Sequence, residues 1–267
     1  MPHCRSFIPG YSKSVAFLSE NDTNVNGAVV FVHGCSGSAK STWTDFYSLI
    51  DDPLTSDWWE TRDVYFYHYR WDSVFRQISR NASSVLGFLR MLFPSPPRKL
   101  FEAREALRGE FAYSELTLVG HSEGGLLLRK AILQVASADQ RLRPFHQSYN
   151  PGSPPPQPQA EGLEIAHLRL FAPAIAGEAL TGFLGILANL PIIGALTHSS
   201  AAKKTMAPAG GPVTVTREET TRHAANLNMP CFRAHILWAD KDSVIVEQEY
   251  AHDFCCLTRP PSSARMR

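Results

Sequence analysis

Along the chain, short continuous apolar runs alternate with longer stretches in which apolar residues return every three or four positions. β-prone runs at 28–32, 64–69, 115–119, 167–171 and 231–238 predict buried strands. Helical spacing between them predicts helices at 42–50, 74–93, 100–109, 124–138, 178–190, 217–227 and 246–256. This alternation predicts an α/β architecture, a mostly parallel twisted sheet with helices on both faces. The residues ahead of position 28 are expected to add an edge strand or two. No internal repeat is present. Ligands of such sheets bind beyond the carboxyl ends of the strands, so the loops at those ends are where chemistry is expected.

Three of those loops carry motifs. Leu116-Thr117-Leu118-Val119 runs into Gly120-His121-Ser122-Glu123-Gly124-Gly125, and a helical pattern with Leu126, Leu127, Ala131, Ile132 and Val135 follows at once. Strand, Gly-x-Ser-x-Gly and helix in this order make a nucleophile elbow. The turn is expected to strain Ser122, expose its Oγ and set it beside the helix start, which favours negative charge. Upstream, Ala28-Val29-Val30-Phe31-Val32 leads into His33-Gly34-Cys35-Ser36. A serine-hydrolase oxyanion hole takes one backbone N–H from such a loop and another from the residue after the nucleophile. Here those are Cys35, or Ser36, and Glu123. Downstream, Phe232-Arg233-Ala234-His235-Ile236-Leu237-Trp238 reads as a late strand, followed by Ala239-Asp240-Lys241-Asp242-Ser243-Val244-Ile245.

With these residues in view, the chain resembles the α/β-hydrolase superfamily. It is most similar to lipase-like serine esterases of the serine-active-site-containing type. The resemblance spans about residues 28–250. It is carried by Val32-His33-Gly34 with Thr42-Trp43, by Val64-Tyr65-Phe66-Tyr67-His68-Tyr69, by the elbow with Gly124-Gly125-Leu126-Leu127, and by Asp242-Ser243-Val244-Ile245. It implies an α/β-hydrolase fold and acyl transfer from an apolar ester or lipid to water. It also selects Asp242 as the triad acid, with Asp240 as the alternative.

The histidine departs from that pattern. Triad order on this fold is serine, acid, histidine, and the only histidine after Asp242 is His252, inside the helical pattern 246–256. The tail 257–267 has no strand pattern and a Pro, Ser and Arg composition that reads as disordered. The expected last strand and its histidine are therefore missing from the pattern. A truncated end accounts for this, and His252 acting as substitute base is the alternative. An impaired hydrolase-fold binding or scaffold protein follows from the first of these.

Composition narrows the picture. A chain of 267 residues with 44% hydrophobic and 19% charged residues fits one globular domain, with its core at about 28–256. A net charge of +1 with no clustered basic face excludes nucleic acid as the main partner. The five cysteines are odd in number and include adjacent Cys255-Cys256, no Cys-x-x-Cys occurs, and the first thirty residues carry no signal-peptide pattern. These features predict a reducing, cytoplasmic setting, with no metal or organic cofactor implied. Residues 149–159 form a proline-rich loop. Residues 179–196 are apolar almost all round and uncharged. They read as a lid or pocket wall or as a buried core helix, with a peripheral membrane contact as the third reading.

Overall fold

The computed structural model describes residues 3–20, 24–34, 37–50, 52, 54, 56–69, 78–100, 111–147, 162–173, 215–216, 218–220 and 234–237. Among these residues seven strands form one sheet: β1 (His3–Phe7), β2 (Val15–Ser19), β3 (Gly27–Val32), β4 (Arg62–Tyr67), β5 (Glu115–His121), β6 (His167–Phe171) and β7 (His235–Leu237). Their order across the sheet is β1-β2-β4-β3-β5-β6-β7. β1 pairs β2 and β2 pairs β4 in antiparallel fashion. β4, β3, β5, β6 and β7 run parallel. The register brings the carboxyl ends of the central strands level: Val32 lies beside Gly120, His121 beside Phe171, and Phe171 beside Leu237.

Strand residues alternate between two cores, as the two-residue period of a strand requires. Ala28, Val30, Val32, Tyr65, Tyr67, Leu116, Leu118, Leu168, Leu170 and Ile236 join one core. Helices α3 (Ile78–Leu92) and α4 (Glu123–Gln147) cover it. In α3 the buried side is Ile78, Ala82, Val85, Leu86 and Leu89, spaced as one face of a helix. Val29, Phe31, Val64, Phe66 and Val119 face the opposite way and pack with Trp43, Ile50 and Trp59. Ile50 closes α1 (Thr44–Ile50) and Trp59 closes α2 (Ser56–Trp59). Phe31 stacks on Phe66 at 4.8 Å and meets Trp43 edge-on at 4.9 Å. Full burial of such a side chain stabilises the fold by roughly 1.5–3 kcal/mol, so both faces of the sheet are held.

The expected strands are present with shifted ends. The run 64–69 forms a strand over Arg62–Tyr67. It stops there because the His68 N–H leaves the ladder and donates to Ser14 Oγ at 2.9 Å. The run 115–119 extends to His121, paired there with β6. Of the run 231–238, Ala234–Leu237 are described and His235–Leu237 are strand. Among the described residues the edge strands ahead of residue 28 are two, β1 and β2. Helix 124–138 begins at Glu123 and continues to Gln147. Helical backbone at Val215 and Thr216 starts two residues ahead of the helix expected at 217–227. The α2 turn has no counterpart in the sequence pattern, because four residues are too few for a helical period to register. The expected helices at 100–109 (beyond Leu100), 178–190 and 246–256, the proline-rich loop, the segment 179–196 and the tail lie outside the described residues.

Candidate active site

Ser122 sits where β5 turns into α4, with φ at 51°. A residue with a Cβ rarely occupies this left-handed region, at a cost of roughly 1–3 kcal/mol unless its surroundings enforce it. The surroundings do enforce it. The Ser122 N–H donates to the Phe171 carbonyl at 3.0 Å, and the Ser122 carbonyl accepts from Gly125 N–H at 3.0 Å. Glycine is required on both sides of the turn. A Cβ on Gly120 would lie 2.7 Å from Gly125 Cα. One on Gly124 would strike the carbonyl oxygens of Val32 and His33. The start of α4 is thus pressed against the end of β3.

The loop after β3 reaches the serine. A Cβ on Gly34 would be 2.8 Å from Ser122 Cβ and 3.0 Å from His121 Nδ1. Backbone at this position therefore touches the elbow directly. The end of β6 closes the third side. Ala172, with φ at 38°, donates its N–H to the Leu237 carbonyl at 2.9 Å, and Pro173 packs on Gly125.

Polar side chains gather at this end of the sheet. His33 is fully buried, and its Nδ1 donates to the Gly34 carbonyl at 2.8 Å. A carbonyl only accepts, so Nδ1 carries the proton. Burial pushes the ring down to about 4, the Gly34 hydrogen bond opposes that, and His68 and His121 reinforce it. The ring is therefore neutral at pH 7. Burial, then Lys13, also lowers His68. The Tyr69 ring stacks on His33 at 4.4 Å with an interplanar angle of 4°. The Glu123 side chain is buried in the first turn of α4. Burial raises its carboxyl to about 7, and the nearby Tyr69 works in the other direction.

Of the residues the sequence singles out, Ser122, Glu123 and the Gly34 end of the oxyanion loop come together here. Cys35, Ser36, Asp240, Asp242 and His252 lie outside the described residues. The sequence pattern points to Glu123 for its backbone alone and gives no sign of its carboxyl, the His33 ring or the Tyr69 hydroxyl as parts of the site. Tyr69 enters the sequence reading only as the last residue of the apolar run 64–69. Among the described residues no three His, Cys, Asp or Glu side chains are grouped to hold a metal ion, and no helix is long and apolar enough to cross a membrane.

No family model matches the sequence, and no curated protein matches it. Solved structures do resemble it. Esterase B from Lactobacillus rhamnosis is 13% identical, with a TM-score of 0.48, over 91% of this chain and 67% of the esterase. Phospholipase PlaB from Legionella pneumophila is 16% identical, with a TM-score of 0.46, over 81% of this chain and 39% of the phospholipase. Lipase BlEst2 from Bacillus licheniformis is 13% identical, with a TM-score of 0.38, over 81% of this chain and 67% of the lipase.

The fold is an α/β-hydrolase fold. Its marks in this chain are the parallel centre of the sheet, the strained Ser122 between β5 and α4, and the loop after β3 laid against it.

Proposed function

We propose that this chain is a serine hydrolase that cleaves a carboxylic ester with an apolar acyl group, an esterase or lipase-like activity on a small-molecule ester or lipid. The observation that carries the reading is Ser122 in the left-handed region with Gly34 backbone against its Cβ. Strain of this kind is kept where it exposes a nucleophile. In the proposed reaction Ser122 Oγ attacks the ester carbonyl carbon while a histidine takes its proton. The carbonyl oxygen becomes an oxyanion held by the N–H of Glu123 and that of Cys35 or Ser36. The tetrahedral adduct collapses, the histidine returns the proton to the leaving alcohol, and an acyl-enzyme remains. Water, deprotonated by the same histidine, then releases the acid. His252 is the candidate for that base, set against the reading in which the base is missing, and Asp242 is the candidate acid orienting it, with Asp240 as its alternative. No cofactor enters these steps.

A fluorophosphonate probe tests the reading. It is expected to label the wild-type chain and spare Ser122→Ala, with turnover of p-nitrophenyl butyrate lost in the same variant. Labelling that survives the substitution would overturn Ser122. A wild type that takes no label would leave a hydrolase-fold binding protein as the reading. Turnover that survives His252→Ala would move the base elsewhere.

A further inference from the structure

The sheet carries a second group of polar side chains, away from the elbow. On β6, Leu168 and Leu170 join the core beneath α3 and α4, so His167, Arg169 and Phe171 lie on the opposite face. The register sets Val119 of β5 and His235 of β7 beside Arg169. His235 shares its face, because Ile236 belongs to the core with Leu168 and Leu170. Neighbouring strands are about 4.8 Å apart, and residues two apart on one strand about 7 Å. Arg169, His235 and His167 are therefore neighbours on one patch of sheet. Both imidazoles are exposed. Arg169 is half-buried, and its Nη1 is enclosed with no hydrogen-bond partner. Among the described residues no carboxylate is paired with it.

We propose that Arg169, His167 and His235 form a binding site for the phosphate group of a small ligand, such as a phosphate monoester. A guanidinium stays charged throughout the working pH range. An enclosed charged donor without an acceptor costs free energy, and an anion bound on this patch removes that cost. Burial, then Arg169, then His167 lowers the His235 ring, so the positive groups act on one another across the two strands. A carboxylate has two oxygens in one plane, which a guanidinium alone can fill. Three donor groups drawn from two strands suit a tetrahedral anion better. Each imidazole has an N–H to donate whether the ring is neutral or protonated, so it is a donor in both states. The site does not depend on the serine-hydrolase reading. It lies on the strand whose last residue, Phe171, accepts from the Ser122 N–H, two residues nearer the amino end.

Inorganic phosphate is the probe. Isothermal titration at pH 7, with ionic strength held constant by sodium chloride, is expected to show one saturable site on the wild type. Arg169→Gln should weaken binding about tenfold to a hundredfold, the worth of a charge-assisted hydrogen bond. His235→Ala and His167→Ala should each weaken it about threefold to tenfold. Acetate should bind at least about tenfold more weakly than phosphate, because it leaves a donor unused. Proton NMR of the His167 and His235 rings gives a second readout. Saturating phosphate should raise the pH at which both rings titrate, since a bound anion favours their charged form. Thermal melting without phosphate checks folding, and should Arg169→Gln fail to fold, the two histidine variants and the ring titrations decide. A wild type that takes up no phosphate, or variants that all take it up as well as wild type, would overturn the proposal. So would acetate binding as tightly as phosphate, or ring titrations that phosphate leaves in place. Stability that falls with Arg169→Gln in a protein that ignores phosphate would overturn it too, by showing that a carboxylate of the chain itself answers Arg169. Fluorophosphonate labelling of Ser122 enters none of these measurements, so this proposal and the hydrolase reading fail separately.

Discussion

Two buried carboxyl groups lie at opposite ends of the same sheet, and their surroundings differ. Asp63, near the amino end of β4, is fully buried and accepts from Ser19 N–H at 2.9 Å and from the Tyr113 hydroxyl at 2.6 Å. The Tyr65 and Tyr113 hydroxyls are 2.6 Å apart. The arrangement links β2, β4 and the entry to β5 in one closed network. Glu123, at the carboxyl ends of the strands, has Tyr69 nearby and is raised to about 7 by burial. At the same end of the sheet His33 Nε2, Trp43 Nε1 and His68 Nδ1 are buried with no hydrogen-bond partner among the described residues. A buried polar group without a partner costs about 1–3 kcal/mol. One end of the sheet therefore carries its buried acid as a structural joint. The other tolerates polar groups that contribute little to stability, as expected where a site is kept ready for chemistry.

The largest effect should come from breaking the joint. Asp63→Ala removes the acceptor of both the Ser19 N–H and the Tyr113 hydroxyl in a dry environment. At about 1–3 kcal/mol per donor left without its acceptor, urea denaturation is expected to show a loss of about 2–6 kcal/mol. Glu123→Ala at pH 7 should cost clearly less, because its carboxyl is held there against its own burial. A loss at position 123 as large as that at 63 would erase the distinction between the two ends.

A pH series sharpens the comparison. In the folded chain the Glu123 carboxyl titrates at about 7, above its ordinary 4.5. Its contribution favours folding fully below about 4.5 and is lost as pH rises through about 7. Each tenfold difference in proton affinity between the folded and unfolded chains is worth about 1.4 kcal/mol, so the loss comes to about 3 kcal/mol. His33 acts in the opposite sense. Its pKa falls from 6.5 to about 4, so its contribution is present above about 6.5 and is lost as pH falls through about 4. Urea denaturation of wild type and Glu123→Gln between pH 5 and pH 8 separates them. The difference in stability between the two proteins should grow in favour of the variant as pH rises. A constant difference across the series would mean that Glu123 ionises as freely folded as unfolded.

The two ends are unequally legible in the sequence. The parallel centre of the sheet can be read because Ala28-Val29-Val30-Phe31-Val32 and Leu116-Thr117-Leu118-Val119 are buried on both faces and so are nearly continuous apolar runs. The elbow can be read because its glycines are dictated by local backbone crowding, which four or five neighbouring letters encode. The joint at Asp63 cannot, since Ser19, Asp63 and Tyr113 are far apart in the chain and each taken alone is an ordinary surface-type residue. Tyr69 and Glu123 are hidden for the same reason. A Glu after a nucleophile looks like a solvated helix-start acid, and nothing in the neighbouring letters shows that this one is buried. The edge strands are legible in number but not in place, because β1 has exposed residues at Cys4, Arg5 and Phe7 and so carries a weak apolar signal.

The smallest effect tests the direction of hydrogen bonding inside the joint. The Tyr113 hydroxyl has one proton, and it goes to Asp63. The Tyr65 hydroxyl must then be the donor in the bond it shares with Tyr113, so the protons run from Tyr65 to Tyr113 to Asp63. Burial is the first cause holding the Tyr113 phenol well above its ordinary value, with Tyr65 and Asp63 adding to it, so this hydroxyl stays protonated and remains a donor. Tyr65→Phe removes only the outermost donor and leaves the bond to Asp63 intact, an expected loss of about 0.5–1.5 kcal/mol. Tyr113→Phe removes the central hydroxyl, taking the acceptor from Tyr65 and the donor from Asp63 together, and should cost more. The order Asp63→Ala, then Tyr113→Phe, then Tyr65→Phe follows from the direction of the protons alone, and none of the three should alter fluorophosphonate labelling while the chain stays folded. Tyr65→Phe costing as much as Tyr113→Phe would mean that the chain of donors runs another way. A labelling rate that falls with Tyr65→Phe in a folded protein would show that the two ends of the sheet are coupled.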